Sequence, residues 1–278
     1  MKKKSDQTRH ILALSGGKDS AALAVYLREK IPNLEYVFMD TGHELPETYE
    51  YLDRIRAVLG IEIQTLKSKR DFDFYLGIYN GCLPSPQNRW CTKQLKIIPY
   101  ERYIGSDHVQ SYVALRADED RMGYISHKPN IIPRYPFIED DIVKADVIEI
   151  LEESGLGLPA YYSWRSRSGC YFCFFQRKHE WVGLFDHHPE LFEKAIEYES
   201  DHSDGRIYTW IKGEPLEQLL AKRDTISNDD LVKPHVPSKK LCDRLQSLRF
   251  TVGQRSILKG TDLAVDPEEH EPCLICTL

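Results

Sequence analysis

The chain of 278 residues has no uninterrupted apolar stretch near the roughly 18 residues that a bilayer crossing needs. Its start, Met1-Lys2-Lys3-Lys4-Ser5-Asp6, turns polar without an apolar segment, so no secretory leader is expected. Those two absences predict a cytoplasmic protein. Positive charge is also scarce: 37 Lys and Arg against 43 Asp and Glu leave a net charge of −6. Lys and Arg supply most sequence-independent affinity for nucleic acid by neutralising phosphates, so this balance argues against a protein that grips DNA or RNA unaided. Basic groups occur at Lys67, Lys69 and Arg70, at Arg165 and Arg167, and at Lys239 and Lys240, but such clusters are ordinarily solvated faces. Internal repeats and low-complexity tracts are missing as well.

What is present fits one globular core with an accessory region, at 41% hydrophobic and 29% charged residues. Seven cysteines stand at 82, 91, 170, 173, 242, 273 and 276, and an odd count without an export signal reads as thiol or metal chemistry rather than a disulfide framework. The run from His10 to Leu14 is a short apolar strand, followed by Ser-Gly-Gly and by helical spacing through Leu27. A second strand is predicted over Leu34 to Met39 and a helix over Pro46 to Leu59, with Pro at its start and Gly60 after it. Further strands are predicted over Ile61 to Leu66 and Gln110 to Leu115, and helices over Asp71 to Tyr79, Thr92 to Ile104, Ile142 to Ser154 and Trp181 to Glu199. Asp140 or Asp141 is the expected N-cap of the helix that stops at Gly155. Alternating strands and helices predict an α/β fold with a doubly wound parallel sheet, its ligands at the strand C-terminal ends. The expected division is residues 1–160 for the nucleotide-type domain and 161–278 for a helical, cysteine-bearing C-terminal region.

Chemistry concentrates at two strand ends. Gly16 and Gly17 let backbone N–H groups approach an anion with no Cβ in the way, the helix near Lys18 points its positive end at it, and Lys18 adds a mobile charge. Asp19 in that first turn would repel a phosphate unless a cation lay between them, and Mg²⁺ resolves the conflict, with Asp40 placed to join it from the next strand. The spacing is not that of a Walker loop. The other end delivers Arg116-Ala117-Asp118-Glu119-Asp120-Arg121, in which Glu119 is expected to orient an arginine. Arg89, Lys93, Lys96, Arg116 and Arg121 are the cations suited to phosphates that gain charge during transfer at phosphorus.

Ser15-Gly16-Gly17-Lys18-Asp19-Ser20 after a strand resembles the signature of the PP-loop, or adenine nucleotide α-hydrolase-like, superfamily. The order of Arg89-Trp90-Cys91-Thr92-Lys93-Gln94-Leu95-Lys96, Arg116 to Arg121, Tyr135-Pro136-Phe137-Ile138 and Gly169-Cys170-Tyr171-Phe172-Cys173 is similar to that of phosphoadenylyl-sulfate-reductase-like proteins, over about residues 8 to 200. Within that group the chain resembles the ATP pyrophosphatase component of DNA phosphorothioation systems. The resemblance implies ATP cleavage between the α and β phosphates and sulfur transfer to an activated oxygen. Lys18, Asp19, Asp40, Arg116 and Arg121 would be catalytic, and Asp19 and Asp40 would hold Mg²⁺. ATP would contact Leu14, Ser15, Gly16, Gly17, Lys18, Asp19, Ser20, Asp40, Thr41, Arg89, Lys93, Lys96 and Arg116. It also implies a cysteine desulfurase as partner, DNA reached through partner subunits, no membrane, and a homodimeric option. One departure is plain: the chain ends Glu271-Pro272-Cys273-Leu274-Ile275-Cys276, where sulfonucleotide reductases carry Glu-Cys-Gly-Leu/Ile-His.

Cys170-x-x-Cys173 suits zinc or iron–sulfur chelation, and Cys91 is the third thiol the resemblance brings near it. Cys82 either completes a closed [4Fe–4S] site or leaves one iron open to carry hydrosulfide. A Zn²⁺ site pairing Cys170 and Cys173 with Cys273 and Cys276 is the alternative, and a tail dithiol relay a third. Cys242 reads as a small buried hydrophobe. Among ten histidines only His43, beside Asp40-Thr41-Gly42 and Glu44, stands near the ligand rim. A reductase of adenylyl sulfate or phosphoadenylyl sulfate, a tRNA thiolation enzyme and an ATP-sensing subunit are the rival readings.

Overall fold

The computed structural model describes residues 8–119, 128–199 and 207–226. Five parallel strands form one sheet: β1 (Arg9–Leu14), β2 (Leu34–Asp40), β3 (Ile63–Lys67), β4 (Val109–Tyr112) and β5 (Ile131–Arg134), in the order β3-β2-β1-β4-β5. Side chains alternate across it as the pleat requires. Leu12, Leu14, Tyr36 and Phe38 enter one core, and Ile11, Ala13, Val37 and Met39 the other. The first core is closed by α1 (Lys18–Leu27), α2 (Pro46–Leu59) and α7 (Lys144–Glu153), the second by α5 (Ile98–Ile104) through Tyr100 and Ile104. Burying a Leu or Phe on either face contributes about 1.5–3 kcal/mol over leaving it exposed.

A third core lies beyond the sheet. It joins Phe72 and Leu76 of α3 (Phe72–Ile78) and Trp90 of α4 (Trp90–Thr92) to Tyr161, Trp181, Phe192 and Trp210. The remaining elements are a π-helical turn (Lys93–Ile97), α6 (Pro136–Glu139), a 3-10 turn (Ala160–Ser163), α8 (Lys178–His187), α9 (Pro189–Glu197), α10 (Leu216–Ala221) and a final 3-10 turn (Arg223–Thr225). This third core draws on residues from both sides of position 160, so the cysteine-bearing region is packed directly against the helices that follow β3.

Several expectations need correction. The helix foreseen over Trp181 to Glu199 is two helices that break at His188 and restart at Pro189, whose missing N–H suits a first helical position. Asp140 does not cap α7: it accepts from the Tyr26 hydroxyl, while Asp146 accepts from the Val143 N–H at 2.9 Å and closes that end. The stretch from Thr92 contains the π-helical turn, so it is not one regular α-helix. β5 was not foreseen.

Candidate functional site at the strand ends

Sheet order reverses between β1 and β4, so the crevice at their C-terminal ends is the topological switch point where open α/β sheets take ligands. The phosphate loop leaves β1 on one side of that crevice and Arg116 follows β4 on the other. Arg116, only 2% exposed, bridges them: its Nη1 lies 2.9 Å from Asp19 Oδ1 and 3.0 Å from Glu119 Oε1, and its Nε donates to Asp118 at 2.9 Å. Lys18 Nζ takes the other Asp19 oxygen at 3.1 Å. Burial alone would push the Asp19 carboxyl up, but Lys18 and Arg116 hold it well below the usual carboxylate range. Glu119 therefore orients Arg116 as foreseen. Arg121, with Asp120, lies outside the described residues.

The loop itself is held by hydroxyls. Ser20 Oγ donates to the Gly17 carbonyl, so the proton between Ser15 and Ser20, 3.1 Å apart, belongs to Ser15. Ser168 in turn donates to Ser15 at 3.1 Å. Tyr161, from the 3-10 turn, donates to the Gly16 carbonyl at 2.7 Å. The two N–H groups best placed for an anion make long bonds of 3.3 Å, Gly17 to Ser15 Oγ and Lys18 to the Tyr162 hydroxyl. A charged acceptor improves on such bonds, since charge-assisted hydrogen bonds are shorter and roughly twice as strong. Gly16 has φ +73, and a Cβ there would sit 2.5 Å from Thr48 Cγ2, so this position needs glycine on two counts.

Asp40 ends β2 next door. Burial raises its carboxyl, but Lys67 at 2.9 Å, the Gly42 N–H and the Tyr49 hydroxyl outweigh that and leave it low. Asp19 and Asp40 are thus ionised carboxylates at adjacent strand ends. Mg²⁺ is commonly held by one or two carboxylates with phosphate and water completing the shell, which fits this donor pair. Among the described residues no group of three or more His, Cys, Asp or Glu side chains is arranged to hold a metal ion by itself.

The cysteines gather beside this rim. Cys91, Cys170 and Cys173 line one cavity with Thr41, Phe72, Lys96 and Phe172, whereas Cys82 is absent from its lining and donates to the Leu83 carbonyl at 3.7 Å. Cys170 Sγ is 3.1 Å from Thr41 Oγ1, and Glu44 and Cys170 form an antiparallel bridge. Burial, with Glu44 nearby, pushes the Cys170 thiol well up, and Lys96 opposes this only in part. The three cavity thiols are neighbours, but among the described residues their arrangement is not that of a formed cluster or zinc site. Cys242, Cys273 and Cys276 lie outside the described residues.

Two of the expected phosphate cations stand at the cysteine cavity: Lys96 lines it, and the Arg89 guanidinium lies 4.9 Å over the ring of Phe175, another lining residue. Arg167 covers that ring too, at 5.0 Å. Lys93 is exposed. His43 packs against Phe72, Tyr171 and Phe172, and burial lowers its pKa, so it serves as a wall residue. Sequence reading missed Tyr161, Tyr162 and Ser168, and it took Arg165, which is 1% exposed, for part of a solvated face. Their only signal was position, just ahead of the Cys-x-x-Cys motif.

Residues 9–124, which hold β1, the loop, β2 and the Arg116 end of β4, match the family described as the phosphoadenosine phosphosulfate reductase domain. An uncharacterized protein of Methanocaldococcus jannaschii, MJ0973, is 24% identical over 227 residues, covering 76% of this chain and 54% of the relative. The nin region protein ORF290 of Escherichia phage lambda is 26% identical over 172 residues, 50% of this chain and 57% of that one. A tRNA-specific 2-thiouridylase, MnmA of Levilactobacillus brevis, is 26% identical over 186 residues, 55% and 49%. The chain thus spans about half the length of these curated relatives. Among solved structures, phosphoadenylyl-sulfate reductase from Candida auris in a phosphate complex aligns with a TM-score of 0.46 at 16% identity, over 59% of this chain and 82% of that chain. Among the described residues no helix is long and apolar enough to cross a membrane.

Proposed function

We propose that this protein is an ATP pyrophosphatase that adenylylates an acceptor oxygen and replaces it with sulfur. The observation that carries the reading is the seating of Cys170 against Thr41, one residue beyond Asp40, which puts a thiol on the rim that serves the phosphate loop. An acceptor oxygen attacks the α phosphorus of ATP, the bond to the β phosphate breaks, and pyrophosphate leaves. Lys18, Arg116 and the Gly17 and Lys18 N–H groups stabilise the charge that gathers on the departing phosphates. Mg²⁺, held by Asp19 and Asp40, would supply further charge neutralisation. The outer sulfur of a persulfide at the cysteine cavity then attacks the activated centre, AMP departs carrying the acceptor oxygen, and a second thiol attacks the remaining S–S bond, leaving sulfur on the acceptor and the two thiols joined in a disulfide.

The acceptor we favour is a DNA backbone phosphate, giving a phosphorothioate, with a cysteine desulfurase as sulfur source and partner subunits presenting the DNA. Lys96, Arg89 and Arg167 at the cysteine cavity support an anionic acceptor over a neutral base. A second reading, reduction of adenylyl sulfate or phosphoadenylyl sulfate, is favoured by the family match over residues 9–124. The test is Mg²⁺-dependent pyrophosphate release from ATP: Asp19→Ala and Asp40→Ala each lower it by about 10²–10³, the scale of losing an electrostatic element of a transfer site. Either variant retaining the parent rate sinks the metal assignment. Sulfite release from sulfonucleotides without ATP selects the reductase. Thionucleosides in tRNA that vanish on deletion, with DNA sulfur unchanged, select tRNA thiolation. Protein purified without air and carrying iron and acid-labile sulfide would establish a cluster, and colourless protein with one zinc per chain the zinc site.

A further inference from the structure

The segment from Arg165 to Cys170 touches both halves of the candidate site. Its near end is fixed where the buried carboxylate of Glu180 accepts from the Ser166 N–H and hydroxyl, each at 2.7 Å. Its far end is tied together by Arg165, 1% exposed, which donates to the carbonyls of Gly169 at 3.2 Å and Cys170 at 2.8 Å. Between these anchors stands Ser168. It is 8% exposed, and a Cβ built on Gly17 would lie 2.7 Å from its hydroxyl oxygen, so that oxygen rests directly on the phosphate loop.

We propose that Ser168 is a further binding residue of the nucleotide site, one that ties phosphate occupancy of the loop to the placement of the Cys170 thiol. This rests on the reading that the loop takes the phosphates of ATP. The direction of the hydroxyl chain singles Ser168 out. Ser20 is committed to the Gly17 carbonyl and Ser15 to Ser20, so re-aiming either proton breaks a bond that shapes the loop. Ser168 gives its proton to Ser15 and can give it to a phosphate oxygen at the cost of that one bond. Its neighbour Gly169 has φ +140, a conformation open to glycine, and forms the joint to Cys170. Arg165 holds the carbonyls of Gly169 and Cys170 together as one unit beyond that joint, so a move of Ser168 toward an anion is passed through Gly169 to the unit as a whole and shifts Cys170 against Thr41. Filling of the phosphate loop is thereby felt at the sulfur.

The experiment uses the full chain with Mg²⁺-ATP and, separately, pyrophosphate as probes. Two quantities are read: the dissociation constant, and the rate of Cys170 alkylation followed on its peptide by mass spectrometry. In the parent, ATP changes the alkylation rate of Cys170 severalfold. Ser168→Ala weakens ATP by about tenfold, the scale of one hydrogen bond to a charged group, and abolishes the nucleotide effect on Cys170. Ser168→Thr, which keeps the hydroxyl, restores both. A residue that only packs would lower the melting temperature and leave the nucleotide effect in place. The inference is overturned if Ser168→Ala binds ATP like the parent and keeps the alkylation response. Should that variant not fold, the parent decides, since an alkylation rate indifferent to bound ATP overturns it equally. A parent that binds neither probe removes the phosphate reading beneath it, a failure visible before any variant is made.

Discussion

The phosphate rim and the cysteine cavity meet at Thr41 yet are built on opposite principles. Around the loop three carboxylates have cation or N–H partners: Asp19 on Lys18 and Arg116, Asp40 on Lys67 and Gly42, Glu119 on Arg116. Charge there is kept, and held ready for more. Around Cys170 the walls are Phe72, Leu95, Phe172, Phe174 and Phe175, and burial favours the neutral thiol. On the function proposed above, the contrast teaches that one crevice can stabilise charge on phosphate while keeping a sulfur nucleophile quiet a few residues away, so that phosphate activation and sulfur delivery would be separable in time.

The sharpest way to break that contrast is to remove its hub. Arg116→Ala leaves Asp19 and Glu119 buried without their shared partner, and should cost about 3–5 kcal/mol, the range for breaking a buried ion pair; chemical denaturation measures it. Next comes the loop. Gly16→Ala forces a side chain into a left-handed backbone and onto Thr48, so it should destabilise by about 1–3 kcal/mol as overpacking does and abolish ATP binding. Gly17→Ala meets Ser168 instead, and an equal loss from both would contradict the difference drawn between those positions.

On the cysteine side, Cys170 alkylation should stay slow through the pH range of an ordinary thiol, about 8.5, and accelerate only above it. Lys96→Ala should move that rise further up, because Lys96 is the charge that favours the thiolate. A rise at ordinary pH would mean the cavity is wetter than its lining. The smallest effect is acid sensitivity. The Asp19 and Asp40 carboxyls sit below their unfolded values, so the stability they contribute is complete above about pH 4 and lost as pH falls toward their folded values. Urea midpoints taken between neutral pH and pH 3 should fall more for the parent than for Asp19→Asn.

Much of the phosphate rim was legible because its determinants are local. Ser15 to Ser20 follow an apolar strand directly, and the bounds of α2 were set by Pro46 and Gly60, whose φ of +62 ends the helix. β5 escaped because Ile131–Arg134 is four residues long, lies at the sheet edge and contains Pro133, which demotes a strand pattern. The Pro189 restart was a readable signal that uniform helical spacing overrode. What could not be read is the contact of Tyr161 and Ser168 with Gly16 and Ser15, since both lie about 150 residues downstream and tyrosine and serine are common everywhere. Glu44 meeting Cys170 is of the same kind.

The bond from Tyr161 to the Gly16 carbonyl has one more consequence. A glycine pair left to itself samples many shapes and would have to surrender that freedom each time an anion arrived. Fixing the turn from a distant 3-10 segment charges the ordering cost to folding instead of to association. Cutting that tether with Tyr161→Phe should therefore show in calorimetry as a larger entropic penalty on pyrophosphate association, with the enthalpy hardly moved.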